Sequence, residues 1–361
     1  MSGRDLSIAE TPDQLTAAWL TRALRSSGDP QRRRREPRGA QPDQHRTDVR
    51  LDASRDLYGV TAAPPTLVAK FPAADPTSRA TAVSLRNYEN EVRFYQELAP
   101  TLEIRTPAVY YADIELETAG FILLLEDMAP ARQGDQLQGC DPEAAQLAID
   151  ELGKLHAPRW NDHSLTELEW LVKNPEESRQ NMSMLLPLLW AGYLERYGDV
   201  INDDVRGAGT ALFERLDDYL APRPGPQAVV HGDYRLDNLL FGPPGSATPL
   251  AVVDWQTVSY GSPMNDVAYF LGAGLQIEDR REHEAGLVRR YHDRLVERGI
   301  TDYDWDDCWI DYRRGTWSGL VMAVAASMLV ERTERGDEMF LAMATRHARH
   351  ALDLDAVGAL G

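Results

Sequence analysis

The chain has 361 residues and a formal charge of −19, with 57 Asp and Glu against 38 Lys and Arg, and 43% hydrophobic residues. Such an acidic excess argues against nonspecific binding to nucleic acid or to an anionic membrane surface. The two cysteines, Cys140 and Cys308, are too few for a disulfide framework and suit a reducing, cytoplasmic setting.

In chain order, the opening MSGRDLSIAETPDQ lacks a basic-then-apolar signal. Thr11-Pro12 predicts a first helix to about Arg25, with Thr as N-cap and Pro at the first helical position. Residues 28–50 carry the run Arg32-Arg33-Arg34-Arg35 and almost no apolar side chains, the pattern of a solvated patch. Pro64-Pro-Thr-Leu-Val-Ala-Lys70-Phe71 reads as a strand ending on a lysine, and a helix follows from about Thr81 to Ala99. Residues 106–126 hold two strands, the second being Phe121–Leu125. Asp141-Pro142 caps a helix to about His156, and the pattern stays helical to Leu220. Two short apolar strands flank GPPGSATP and predict a hairpin. Ser262-Pro263 opens another helix, and further helices run to the end. The late apolar run GLVMAVAASMLV (319–330) is too short to span a bilayer and predicts a buried helix, so no membrane insertion is expected. Strands early and helices late predict an α+β fold of two lobes. The expected division is an N-terminal helix (1–27), a small β-rich lobe (28–128) and a larger helical lobe (129–361).

The most informative stretch is Val229-Val-His231-Gly-Asp233-Tyr-Arg-Leu-Asp237-Asn238-Leu-Leu-Phe241, read with Leu250-Ala-Val-Val-Asp254-Trp255. In an antiparallel hairpin the residue before the first strand faces the residue after the second. Asn238 and Asp254 are therefore expected at one end, with Asp233 a few residues from both. Three such oxygen donors suit a hard cation such as Mg²⁺. Each has a plainer reading: a turn Asp, a hairpin-entry cap and a solvated strand end. His231 reads as a brace for the loop, with a general base as the sharper alternative. Asp237 reads as a solvated loop acid. On the helix after Lys70, the residues Leu85, Tyr88, Val92, Tyr95, Leu98 and Ala99 share one face at 100° per residue. Glu91 falls inside that arc. A carboxylate there wants a cation, and Lys70 is the natural candidate, with Arg93 or solvent as the alternative. Asp266 stands in the first turn after Ser262-Pro263, where a carboxylate interacts favourably with the helix dipole. No GxxxxGK[ST] is present, and Gly272-Ala-Gly274 lacks the third glycine of a dinucleotide fingerprint. The aromatic and acidic stretch Tyr303–Tyr312 reads as helix packing or as the lining of a cation pocket.

An Asp, an Asn at the fifth position after it and a later Asp follow the kinase template of phosphoryl transfer, with HGD for HRD and Asp254-Trp255-Gln256 for DFG. These replacements resemble the aminoglycoside phosphotransferase and choline kinase superfamily. The strings LLLEDM (123–128), HGDYRLDN and VVDWQTVSYGSPMNDVAYFL (252–271) are most similar to its ecdysteroid-kinase-like, or CHK-kinase-like, branch, over about residues 60–330. The resemblance implies a protein-kinase-like fold, ATP and Mg²⁺ as cofactors, and a small-molecule hydroxyl as phosphate acceptor. It implies Asp233 as the catalytic base or hydroxyl-orienting group, and Asn238 and Asp254 as metal ligands. Lys70 and Glu91 would serve the ATP phosphates, and Glu126 to Met128 the adenine-holding hinge. Asp266 would brace the catalytic loop together with His231. The branch usually covers the phosphates with a glycine- and glutamine-containing turn. The aligned Glu36-Pro-Arg-Gly39-Ala-Gln41-Pro-Asp-Gln44 has one glycine, and its flanks lack strand alternation. That departure leaves open a catalytically weak, nucleotide-binding pseudokinase with a regulatory role.

Overall fold

Thr11 and Gln14 close a single 3₁₀ turn, Pro12–Gln14, in which the Gln14 side chain accepts the Thr11 N–H at 3.3 Å. Leu15 then leaves helical geometry (φ −80°, ψ 70°), and α1 begins afresh at Ala17–Ser26. The Thr-Pro signal thus starts a turn rather than the helix itself. This computed structural model describes residues 6–26, 48–52, 64, 66–172 and 174–360. The stretch Glu36–Gln44 and the Arg32–Arg35 run lie outside the described residues.

The chain divides into two compact units, the smaller drawn from the residues up to Pro100, Thr106–Pro130 and Val253–Gln256. Its sheet comprises β1 (Asp48–Asp52), β2 (Thr66–Lys70), β3 (Val109–Glu115) and β4 (Gly120–Glu126), in the antiparallel order β1-β2-β4-β3. The β1 strand was not expected. Its five residues pair fully with β2, from Asp48 opposite Lys70 to Asp52 opposite Thr66. A strand so short offers too little period-2 pattern to stand out beside a polar run. The unbroken apolar run of β4 follows from burial on both faces. Ile122 and Leu124 pack with Trp19, Leu20 and Ala23 of α1, while Phe121 meets the Tyr88 ring on the other side.

The single helix expected at 81–99 is two. The first, α2 (Pro76–Ser84), is capped by Asp75, which accepts the Ser78 N–H at 2.6 Å. Arg86 then adopts a left-handed conformation (φ 61°) and α3 starts at Asn87–Arg93, continuing as a π turn over Phe94–Leu98. Leu85 falls outside the buried face at 43% exposure, while Tyr88, Glu91, Val92, Tyr95 and Leu98 are buried.

The larger unit is mostly helical. It contains the short β5 (Arg132–Gln133), α4 (Pro142–His156), α5 (Pro175–Tyr197), α6 (Asp203–Glu214), α7 (Leu216–Leu220) and β6 (Ala228–Val230). The hairpin β7 (Leu239–Phe241) and β8 (Leu250–Val252) and the strand β9 (Ser259–Gly261) follow, then α8 (Pro263–Gly274). The last helices are α9 (Ile277–Glu297), α10 (Trp305–Leu329) and α11 (Glu334–Asp353). Every residue of α8 except Asn265 is buried, the pattern of a helix enclosed on all sides. Its partners include α10 and α11; within the late apolar run Leu320, Val321, Ala323 and Val324 are core, while Leu329 and Val330 at its end are exposed. Among the described residues no helix is long and apolar enough to cross a membrane. The expected α+β architecture, with a small β-containing unit and a larger helical one, is therefore present.

Candidate active site

In the smaller unit, β2 ends on Lys70, only 8% exposed. Its Nζ lies 2.7 Å from Glu91 Oε2 and 3.4 Å from Asp254 Oδ1. Glu91 is 1% exposed, so its charge requires this cation, and the Lys70–Glu91 pairing anticipated from the helix face is formed. The segment carrying Asp254 is stitched to α3. The Trp255 ring stacks on Phe94 at 3.8 Å between centroids, Asn90 donates to the Gln256 carbonyl at 3.1 Å, and Gln256 Nε2 reaches Glu91 at 3.4 Å. Asp254 itself sits at φ 68°. Asp tolerates this left-handed region better than most residues, yet it is an uncommon conformation that a functional position can sustain. Its side chain keeps 39% exposure, so the carboxylate has an open side suited to a hard cation.

At the end of β4, the Glu126 N–H donates to the Ala108 carbonyl at 2.8 Å and its Oε2 accepts the Ala108 N–H at 2.9 Å. The Glu126 side chain is thereby engaged with backbone, and Met128 two residues on is half-buried.

In the larger unit, β6 delivers the chain to His231-Gly232-Asp233. Buried Asp266, near the start of α8, accepts the His231 N–H at 2.6 Å and the Gly232 N–H at 2.9 Å. Its third contact is His156 Nε2 at 3.3 Å. Gly232 has φ 80°, and a Cβ there would lie 2.6 Å from the Thr257 carbonyl oxygen, so glycine alone fits this turn. His231 is fully buried, and its Nδ1 accepts the Asp233 N–H at 3.2 Å. Asp233 Oδ2 accepts from Arg235 Nε at 3.0 Å and from Asn238 Nδ2 at 3.0 Å, while Oδ1 accepts the Tyr269 hydroxyl at 2.8 Å. With its nitrogen committed to Asp233, Asn238 has its amide oxygen as the end suited to a metal ion. The hairpin register pairs Leu239 with Val252, so Asn238 stands one residue before the first paired position and Asp254 two residues beyond the last.

Three residues matter more than their sequence context indicated. Asp237 is 7% exposed rather than solvated; it accepts the Gln136 N–H at 3.0 Å and pairs with Arg235 at 2.9 Å. Arg235 bridges Asp233 and Asp237. Burial works against its charge, but Asp233, Tyr269 and Asp237 outweigh that and raise its pKa. Tyr269 lies 36 residues after Asp233, and no local spacing announces the contact. The Tyr303–Tyr312 stretch proves to be packing. Trp305 and Trp309 stack at 5.5 Å, and the cation over Trp305, at 3.5 Å, is the chain's own Arg289.

The model of the Ecdysteroid kinase-like family matches residues 60–300. The chain belongs to the ecdysteroid kinase-like family. Among curated relatives it is 27% identical over 166 residues to acyl-CoA dehydrogenase family member 11 of Gallus gallus, covering 45% of this chain and 20% of that protein. It is 41% identical over 83 residues to acyl-CoA dehydrogenase family member 10 of Mus musculus, covering 21% and 8% respectively. The matched stretches thus span a fifth or less of those relatives' own length. Among solved structures it is similar to choline kinase from Cryptosporidium parvum Iowa II (TM-score 0.49, 11% identity, 83% of this chain and 84% of that one). It is also similar to an ethanolamine kinase of Plasmodium vivax (TM-score 0.47, 10% identity, 79% and 75%). Within the ecdysteroid kinase-like family match fall Lys70, Glu91, Asp233, Asn238, Asp254 and Asp266.

Proposed function

We propose that this member of the ecdysteroid kinase-like family is an ATP- and Mg²⁺-dependent phosphotransferase acting on a hydroxyl group of a small molecule. The observation that carries the reading is Lys70, buried and held between Glu91 at 2.7 Å and Asp254 at 3.4 Å. A lysine fixed by a helix carboxylate and set beside a second, part-exposed carboxylate is the arrangement phosphoryl transfer uses to hold nucleotide phosphates.

In this reading the acceptor hydroxyl oxygen forms a bond to the γ-phosphorus, the bond from phosphorus to the β,γ-bridging oxygen breaks, and ADP leaves. Asp233 aligns the hydroxyl and takes its proton, and Lys70 neutralises charge on the phosphates. Asp254 and the Asn238 amide oxygen would hold Mg²⁺, which when bound supplies positive charge to the phosphate oxygens. The backbone from Glu126 to Met128 would hold the adenine. Positioning and charge neutralisation are most of what such chemistry requires of a protein. The acceptor classes in view are a hydroxylated metabolite, a steroid-like alcohol, an amino alcohol or an aminoglycoside. A library of such hydroxyl compounds, screened for ADP release with Mg·ATP, tests this. Release dependent on one compound class supports it. Nucleotide binding with no release across the library points instead to a regulatory pseudokinase, and turnover without ATP to a metal-dependent hydrolase.

A further inference from the structure

Asp233 has four lone-pair positions on its two carboxylate oxygens, and their occupancy is unequal. Both positions on Oδ2 are filled, by Arg235 Nε and Asn238 Nδ2 at 3.0 Å each. Among the described residues Oδ1 has a single donor, the Tyr269 hydroxyl at 2.8 Å. The remaining position on Oδ1 is therefore the one that can meet an acceptor hydroxyl, and Tyr269 determines where it points. Tyr269 is 5% exposed. Burial, reinforced by the neighbouring Asp233 charge, raises its pKa well above the ordinary phenol value, so it stays protonated and always donates.

Something in turn fixes the Tyr269 ring. The His347 imidazole lies parallel to it, with 1° between the planes and 5.5 Å between centroids. Tyr269 and Gly272 stand three residues apart on one face of α8. His347, from α11, fills the space where Gly272 has no side chain. A Cβ on Gly272 would fall 2.5 Å from His347 Nδ1, and a Cβ on Gly319 of α10 would fall 2.0 Å from its Cε1. His347 is fully buried, and among the described residues neither of its ring nitrogens has a hydrogen-bond partner. Burial first, and then the nearby His350 and the Arg346 charge, lower its pKa well below the ordinary histidine value, so the ring is neutral. A buried polar ring that makes no hydrogen bond is costly to retain. What it does make is a flat contact with Tyr269.

We infer that Tyr269 is a positioning residue for Asp233, and that His347, held in the slot between Gly272 and Gly319, sets the plane of the Tyr269 ring. The inference rests on the phosphotransferase reading for its catalytic consequence, not for its contacts. Tyr269→Phe keeps the ring and removes the donor. It lowers kcat roughly ten- to a hundredfold, the range of one hydrogen bond to a charged group, and leaves KM for ATP unchanged. His347→Ala frees the ring and lowers kcat with the same split. If that variant does not fold, His347→Gln, which fills the slot without a flat ring, carries the same expectation. The double variant of Tyr269→Phe and His347→Ala is no slower than Tyr269→Phe alone, because the two residues touch and act through the same hydroxyl, so their effects do not add. A normal kcat in Tyr269→Phe, or losses in kcat that multiply in the double variant, overturns the inference.

A second cycle needs no turnover. Tyr269→Phe lowers the unfolding midpoint in the wild-type background and leaves it unchanged in an Asp233→Ala background. Equal losses in both backgrounds overturn the contact. Coupling in this cycle, together with a wild-type protein that transfers no phosphoryl group, sinks the phosphotransferase reading and the catalytic role of Tyr269 while the contact stands.

Discussion

Asp233 and Asp254 are both carboxylates on short connecting segments, but they stand in different chemistry. Asp233 is held by the side-chain donors Arg235, Asn238 and Tyr269. On the phosphotransferase reading, Asp233→Ala removes the group proposed to meet the acceptor and leaves untouched the smaller unit's residues proposed to hold the nucleotide. Phosphoryl transfer is expected to fall by about 10²–10⁴-fold, as for other positioned bases, with the affinity for Mg·ATP little changed. Single-turnover transfer alongside a nucleotide titration measures both; activity within about tenfold of wild type would remove Asp233 from the role. Asp254 holds a left-handed backbone that Asn tolerates as well as Asp, so Asp254→Asn isolates the charge from the conformation. That variant is expected to weaken Mg²⁺-dependent nucleotide binding more than Asn238→Ala does, because a carboxylate brings full charge to the ion and an amide only a dipole. Titrating ATP with and without Mg²⁺ compares them, and an unaltered Mg²⁺ requirement in Asp254→Asn would be the contrary result. The identities and spacings of these residues are legible in the sequence. The set of donors around Asp233 is not, since Tyr269 arrives from α8.

Helix α6 meets α5 where Gly209 faces Trp190. A Cβ on Gly209 would fall 2.3 Å from the Trp190 Cη2, and the Trp190 ring is itself stacked with Tyr193 and Phe213 at 5.7 and 5.2 Å. Helix propensity alone says Gly209→Ala should stabilise by about 1 kcal/mol. Overpacking against a ring that cannot retreat costs roughly 1–3 kcal/mol and wins. A lower urea midpoint is the expected outcome, and a higher one would show that Trp190 has room to move. At its C-terminal end α11 is tied to α9 by Asp353, which accepts from Arg281 Nε at 2.8 Å, Arg349 Nε at 2.9 Å and Arg280. Burial alone would raise the Asp353 pKa, but the hydrogen bonds and charges of Arg281, Arg280 and Arg349 bring it down to about 2. Because the folded value lies below the unfolded one, the stabilisation is present above about pH 4 and is lost as the pH falls toward about 2. Asp353→Asn is therefore expected to lower stability at pH 7 by on the order of 2 kcal/mol. In parallel denaturant titrations the difference from wild type should narrow at pH 3, and a constant difference would contradict the linkage. The break at Arg86 shows the limit of periodicity at this scale. A helical face can be counted through a break, since Tyr88, Val92 and Tyr95 keep their spacing, but the left-handed residue that ends one helix and begins the next leaves no composition signal when it is an arginine.

For the molecule as a whole, a formal charge of −19 is large beside the surface ion pairs, which are individually worth little. Self-repulsion should dominate the response to salt. Raising NaCl from roughly 10 to 150 mM shortens the screening length from about 30 to 8 Å, and the thermal midpoint is expected to rise. A falling midpoint would mean that the ion pairs outweigh the net charge. The α+β class, the hairpin around GPPGSATP, the largely buried helix over 319–328 and the family are legible in the chain alone, because each is written in contiguous patterns of polarity and turn residues or in a local motif. The chain also places Glu91 on a buried face, because helical geometry converts spacing into orientation. The grouping of Val253–Gln256 with the small unit, the burial of Asp237 as an anchor, and the placement of Tyr269, His347 and two glycines behind Asp233 arise from folding. These contacts join residues tens to hundreds of positions apart, where the requirement that buried polar groups find partners is met by whichever element packing brings near.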